Sequence, residues 1–199
     1  MRRHAHTRLS TDDAVRLFHS LFQGILMSTL TIYIAASFKH MHGVRLLGRE
    51  LRALGCAILD WTEKAVPPPG LTPAQRRVWM DTDRDGGQVF AFCRDACLTA
   101  DMVIYFGASG QDAGVEVGLA CGAGVPVLGI RGPLEAPGLM LHGAMTTWAE
   151  SVEEAVALVA GCLRFTAQEG EPGAESDARI RALCSRALLR RDAYTPALP

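Results

Sequence analysis

DMVIYFGASGQDAGVEVGLACGAGVPVLGI, residues 101–130, is the stretch whose reading decides the fold. Met102–Phe106 and Val125–Ile130 are short, continuous apolar runs, the pattern of strands buried on both faces of a parallel sheet. Between them lie a glycine-rich loop and a small-residue segment long enough to form the crossover helix that a parallel pair requires. Glu116 stands where loop passes into helix, among Gly114, Val115, Val117 and Gly118. A carboxylate with small apolar neighbours, near the carboxyl end of a central strand, is placed where open α/β sheets bind ligands. A carboxylate near a helix start also suits the helix dipole without having any function.

Upstream, Leu30–Ala36 (LTIYIAA) has the same buried character and predicts the first strand. Val44–Leu54 has helical periodicity and stops at Gly55, a residue suited to a left-handed cap, and Cys56–Leu59 predicts the second strand. Pro67–Gly70 forces an extended excursion, after which Thr72 and Pro73 read as the N-cap and first position of a short helix. Val89–Ala100 is expected to be a helix packed through Phe90, Cys93, Cys97 and Leu98. Downstream come the fourth strand at Val125–Ile130, an irregular Gly/Pro loop at Arg131–Gly143 and a short fifth strand at Ala144–Trp148. Ser151 then caps a helix running from Val152 to about Leu163. This alternation implies an α/β fold: a single doubly wound (flavodoxin/Rossmann-like) five-stranded parallel sheet, order 2-1-3-4-5, with helices on both faces. The switch point between strands 1 and 3 would bring Tyr33–His40 beside Gly107–Glu116.

The 199 residues suffice for one domain with a real core plus extensions. The formal net charge of -1 gives no overall basic field for nucleic acid or an anionic membrane, and no apolar run reaches the length of a membrane span. The six cysteines show neither a CxxC pair nor Cys/His zinc spacing, so buried free thiols and a reducing, cytoplasmic setting are expected, with no metal. Asp81, Asp83, Asp85 and Gly86 copy the start of a calcium-binding loop, but the twelfth position, which needs a bidentate Glu, is Phe92. Calcium is excluded on that ground; a solvated loop and a lid over a pocket both stay open.

Three regions follow. Residues 1–28 are an N-terminal extension in which Val15, Leu17, Phe18, Leu21, Phe22, Ile25 and Leu26 have amphipathic helical spacing rather than that of a targeting peptide. It is expected to be dispensable, the compact domain starting naturally at Met27. Residues 29–165 form the α/β domain. Residues 166–199 comprise a linker and a basic helix over Arg179–Arg191, expected to be solvated or in subunit contact.

The strand YIAAS at 33–37, the D-x-G at 112–114, EVGLA at 116–120 and GVPV at 124–127 together resemble the nucleoside 2-deoxyribosyltransferase family, which includes related enzymes that hydrolyse deoxynucleoside monophosphates. The similarity spans roughly Leu30 to Ala160. It implies an enzyme that transfers or hydrolyses the N-glycosidic bond of a (deoxy)nucleoside or nucleoside monophosphate by double displacement, without a cofactor. Glu116 would match the nucleophile, Asp112 the acid that handles the proton on the base, and Tyr33 the aromatic whose hydroxyl orients the Glu. Gly107, Gly110 and Gly114 would let backbone approach the sugar or a 5′-phosphate. Family members complete their sites across subunits, which implies a homo-oligomer. This chain departs from the pattern at two points. Asp112 stands four positions before Glu116, where typical members have six, and Cys93 occupies a place where an Asp is common, leaving Asp95 as the nearest carboxylate.

Ser37 and Phe38 in the strand-1 exit loop, Trp61 after strand 2, and Asp95 complete the candidate substrate contacts. Each has a plainer reading. Asp112 can be a turn residue, Tyr33 a core residue, and Trp61 a cover for the sheet edge; Ser37, Lys39 and His40 can be solvated loop, and Arg45 and Arg49 a solvated helix face. Three functional rivals stand beside the enzyme: a non-catalytic nucleotide sensor, an N-glycosidase for another ribosyl compound such as a dinucleotide, and an oligomer scaffold.

Overall fold

The computed structural model describes residues 29–81, 86–169 and 177–190. The expected N-terminal helix and Met27 start, the interior of the acidic loop and most of the expected linker lie outside the described residues.

Five strands, β1 (Thr31–Ala35), β2 (Ala57–Leu59), β3 (Met102–Phe106), β4 (Val127–Ile130) and β5 (Thr147–Ala149), form one sheet in the order β2-β1-β3-β4-β5, with every pair parallel. This is the doubly wound order read from the apolar runs. Seven α-helices accompany them among the described residues: α1 (Met41–Ala53), α2 (Pro73–Asp81), α3 (Gly86–Thr99), α4 (Gln111–Gly122), α5 (Leu139–Ala144), α6 (Val152–Glu169) and α7 (Asp177–Leu189). Short 3-10 turns at Phe38–His40 and Trp61–Glu63 follow β1 and β2.

Local chemistry explains where elements begin and end. Gly55, at φ 92°, follows α1 and turns the chain into β2, a conformation open to glycine at no steric cost. Thr72 and Gln75 form a reciprocal capping box: the Gln75 amide donates to Thr72 Oγ1 at 3.3 Å while the Thr72 amide donates to Gln75 Oε1 at 2.9 Å. Ser151 Oγ likewise accepts from the Glu154 amide at 3.1 Å at the start of α6. Buried Asp101 accepts from the Thr31 amide at 2.8 Å, pinning the entry of β3 to that of β1.

The β-strand alternation divides the core between two faces. Ile34 lies on the face covered by α1, where Gly48 permits close approach, and α6 packs beside α1. Tyr33, one residue earlier, points to the opposite face, where α3 and α4 pack together. In β4, Gly129 makes room for Trp148 of β5: a Cβ added there would stand 2.5 Å from the Trp148 ring. Gly129→Ala is therefore expected to overpack the sheet and cost about 1–3 kcal/mol, read as a Tm lowered by several degrees in thermal unfolding.

Several expectations change. The Gly/Pro loop after β4 contains α5, which starts after Gly138. Within α3, Ala96 and Cys97 are buried, whereas Phe90 is 61% and Leu98 37% exposed, so the helix does not pack through those two. Of the cysteines, all free, Cys121 is exposed and Cys93 only half-buried. The C-terminal helix is not a solvated tail: α7 buries Leu183, Cys184, Ala187 and Leu188, packs on α6, and Arg181 donates to the Leu98 and Ala100 carbonyls. α6 also runs on to Glu169, presenting Phe165 to the guanidinium groups of Arg186 and Arg190.

Candidate active site

The carboxyl end of β1 opens into a partly open cavity of about 600 Å³, lined on its other sides by Trp61 and by α2, α3 and α4. Its position is the switch point at which β1 and β3 send their helices to opposite faces. Tyr33 comes up from the middle of β1, buried among strand residues, and its hydroxyl donates to Glu116 Oε1 at 2.6 Å. Glu116 lies in the second turn of α4, one helical turn beyond Asp112, so that both carboxylates face the cavity. Glu116 Oε2 is buried and has no hydrogen-bond partner.

Burial is the main influence on Glu116, raising its pKa from 4.5 to about 7; the Tyr33 hydrogen bond opposes this, the Asp112 charge adds to it, and Cys93 also opposes it. Burial and the neighbouring Glu116 charge move the Tyr33 hydroxyl far above its ordinary value, so it serves as a hydrogen-bond donor. Cys93, which faces both groups from α3, is pushed up to about 11 chiefly by burial and is a neutral thiol. The arrangement is a carboxylate beside the cavity with one oxygen held by a tyrosine and the other buried without a hydrogen-bond partner.

The walls are mostly apolar. Trp61 is buried, its Nε1 donating to the Ile34 carbonyl at 3.0 Å, and Phe38 meets it edge-on at 5.1 Å between ring centroids. Asp60 holds this corner by accepting from the Thr62 amide at 2.9 Å and the Thr62 hydroxyl at 2.7 Å, while Arg52 and Arg45 bond Asp60 and Thr62 respectively. Arg45 and Arg49 are both exposed on α1, as expected, but Arg45 also reaches Thr62 and so supports the Trp61 corner, while Arg49 pairs with Glu50 at the surface. Trp61 both packs on the sheet and lines the cavity.

The structure gathers Tyr33, Ser37, Phe38, Trp61, Asp112 and Glu116 at one place. Ser37 Oγ is buried without a partner, and the Ser37 amide donates to Ser109 Oγ at 3.1 Å. Four other candidates lie apart from the cavity wall. Asp95 is on the outer side of α3, its carboxylate taken by Arg94 at 2.7 Å. Gly107 faces the exit of β4, where a Cβ would strike the Ile130 carbonyl. Gly110 and Gly114 have open space where a side chain would stand. The walls contributed by Trp79, Val89 and Phe90 were not anticipated; the signal was the exposed aromatic spacing on α2 and α3, which periodicity alone assigns to the core.

Among the described residues no three His, Cys, Asp or Glu side chains cluster as metal ligands, and no helix is long and apolar enough to cross a membrane.

No family model and no curated protein matches the chain. Solved structures similar to it include two enzymes. A 2-deoxyribosyltransferase from the psychrotolerant bacterium Bacillus psychrosaccharolyticus is 18% identical with a TM-score of 0.47, the match covering 63% of this chain and 90% of that one. A CMP N-glycosidase from Clostridium botulinum is 14% identical with a TM-score of 0.42, covering 65% of this chain and 97% of that one. At these identities the likeness concerns the fold, and the chemistry has to be read from the site itself.

Proposed function

We propose that this protein is an enzyme that cleaves or transfers the N-glycosidic bond of a nucleoside or nucleoside monophosphate, with Glu116 as nucleophile. The observation that carries this reading is the division of labour within one carboxylate. Oε1 is held by Tyr33 at 2.6 Å, whereas Oε2 is buried without a hydrogen-bond partner and is the oxygen assigned to the attack. In the first step Oε2 forms a bond to C1′ as the C1′–N bond breaks, and the base leaves with the bonding electron pair. Asp112 supplies the proton that the departing base needs, or removes one from the incoming group. In the second step water or another base attacks C1′, and Glu116 leaves as carboxylate. A cavity of about 600 Å³ suits a ligand of nucleoside size, and the Phe38–Trp61 corner offers an aromatic surface for a base.

The test is a panel of deoxynucleosides, ribonucleosides and their monophosphates, followed for free-base release and for exchange against a second, labelled base. Exchange identifies a transferase, and release without exchange a hydrolase. Binding of the panel with neither release nor exchange would replace this reading by that of a nucleotide sensor.

A further inference from the structure

A second hydrogen-bonded cluster adjoins the cavity; Glu135, Tyr105 and Ser109 do not line it, and the cluster meets the cavity wall at Ser37. Glu135 sits in the segment between β4 and α5, where its neighbour Leu134 is fully exposed, yet both of its carboxylate oxygens turn inward. Oε1 accepts from the Tyr105 hydroxyl at 2.5 Å, and Oε2 accepts from the Gly132 amide at 3.1 Å. The approach is possible because Gly107 and Gly132 carry no side chains: a Cβ on Gly132 would stand 2.7 Å from the Ala108 nitrogen. Tyr105, buried in β3, has one proton to give and gives it to Glu135, so its oxygen accepts from the Ser109 amide at 3.1 Å. Burial and the bond to Glu135 push the Tyr105 hydroxyl up to about 12, consistent with a donor that keeps its proton. Ser109 Oγ in turn donates to the Phe106 carbonyl at 2.5 Å and accepts from the Ser37 amide at 3.1 Å, with His40 Nδ1 3.2 Å away.

We propose that Glu135 is a positioning residue which, through Tyr105 and Ser109, fixes the β1 exit loop and the β3–α4 loop relative to each other. The proposal rests on the glycosidic reading of the Glu116 site. Ser37 ends the chain of bonds on one cavity wall, and Ser109 lies one residue before Gly110, after which α4 presents Asp112 and Glu116. Glu135 touches none of the reacting atoms. Its effect is on the register of two walls that flank the anomeric carbon, and small misplacements there act on turnover more than on binding.

Three variants test it: Glu135→Ala, Glu135→Gln and Tyr105→Phe. Base release gives kcat and KM, and amide hydrogen exchange is followed over residues 36–40 and 107–112. The expected result is a kcat lowered about tenfold in Glu135→Ala with KM changed less than about threefold. Glu135→Gln keeps an acceptor for the Tyr105 hydroxyl and recovers most of the rate. Exchange quickens in both segments in Glu135→Ala and Tyr105→Phe, although neither Glu135 nor Tyr105 bonds Ser37 directly. Faster exchange confined to the loop around Glu135, an unchanged kcat in Glu135→Ala, or no rescue by Glu135→Gln would overturn the proposal. Failure of the wild type to release base from any substrate would remove the glycosidic reading, and the exchange pattern at 36–40 would then decide the relay by itself.

Discussion

Glu116→Gln is expected to lower kcat for base release by about 10³-fold or more, because an amide cannot form the glycosyl ester while the cavity and the Tyr33 contact remain. The same substitution is expected to stabilise the fold above neutral pH. Glu116 has a folded-state pKa of about 7 against 4.5, so the folded protein holds this proton more tightly than the unfolded chain. For a carboxyl raised in this way, the stability contribution is fully present below about pH 4.5 and is lost as pH rises through about 7. At pH 8 the ionised, half-satisfied carboxylate then costs the wild type on the order of 2–3 kcal/mol that glutamine does not. Opposite signs in activity and stability mark a group kept for chemistry, whereas a carboxylate serving the helix would lose stability when replaced. The measurement is paired: base release at neutral pH and chemical denaturation at pH 5 and pH 8. A less stable Glu116→Gln with unimpaired turnover would refute the assignment.

Tyr33→Phe should move the pH dependence of turnover. The Tyr33 hydrogen bond favours ionised Glu116, so removing it raises the Glu116 pKa beyond about 7. Attack on C1′ needs the carboxylate. Wild-type activity therefore rises as pH climbs through about 7, and the variant's rise begins at higher pH. At pH 7 the loss is expected to be roughly 10–100-fold, with part of it recovered at pH 8–9. The benzene ring itself remains, so the packing of β1 against α3 and α4 is disturbed little. A pH–rate profile settles the matter: an unshifted or lowered midpoint would mean that Tyr33 does not support the ionised nucleophile.

Much of this was legible in the chain because the signals are local. Continuous runs such as Met102–Phe106 announce buried parallel strands, and Thr72 with Gln75 and Gly55 mark helix ends through bonds made within a few residues. Strand order places the exit of β1 beside that of β3, and the resemblance implied the specific pairing of Tyr33 with Glu116. Other features depend on who meets whom in space. Phe90 has the spacing of a core residue, but an apolar side chain on a cavity wall and one in a core are alike in periodicity. Arg45 is surface charge, and its second role as a partner of Thr62 depends on a contact remote in the pattern of its own helix. Glu135 lies in the Gly/Pro-punctuated stretch, where no sequence pattern marks it; the contact between backbone at 107–108 and 130–132 turns it toward Tyr105. α7 behaves similarly, because its docking against α6 depends on a face whose partner is remote in sequence.

The central claim is that an ionised Glu116 displaces the base and is itself displaced, and the stereochemistry at C1′ tests it most directly. A β-nucleoside or its monophosphate is turned over in the presence of methanol, and the anomer of the methyl glycoside is read by proton NMR before it can equilibrate. Two displacements predict the β-methyl glycoside, with net retention, and its loss in Glu116→Gln. The α-methyl glycoside, the product of a single displacement by the acceptor, would contradict the account.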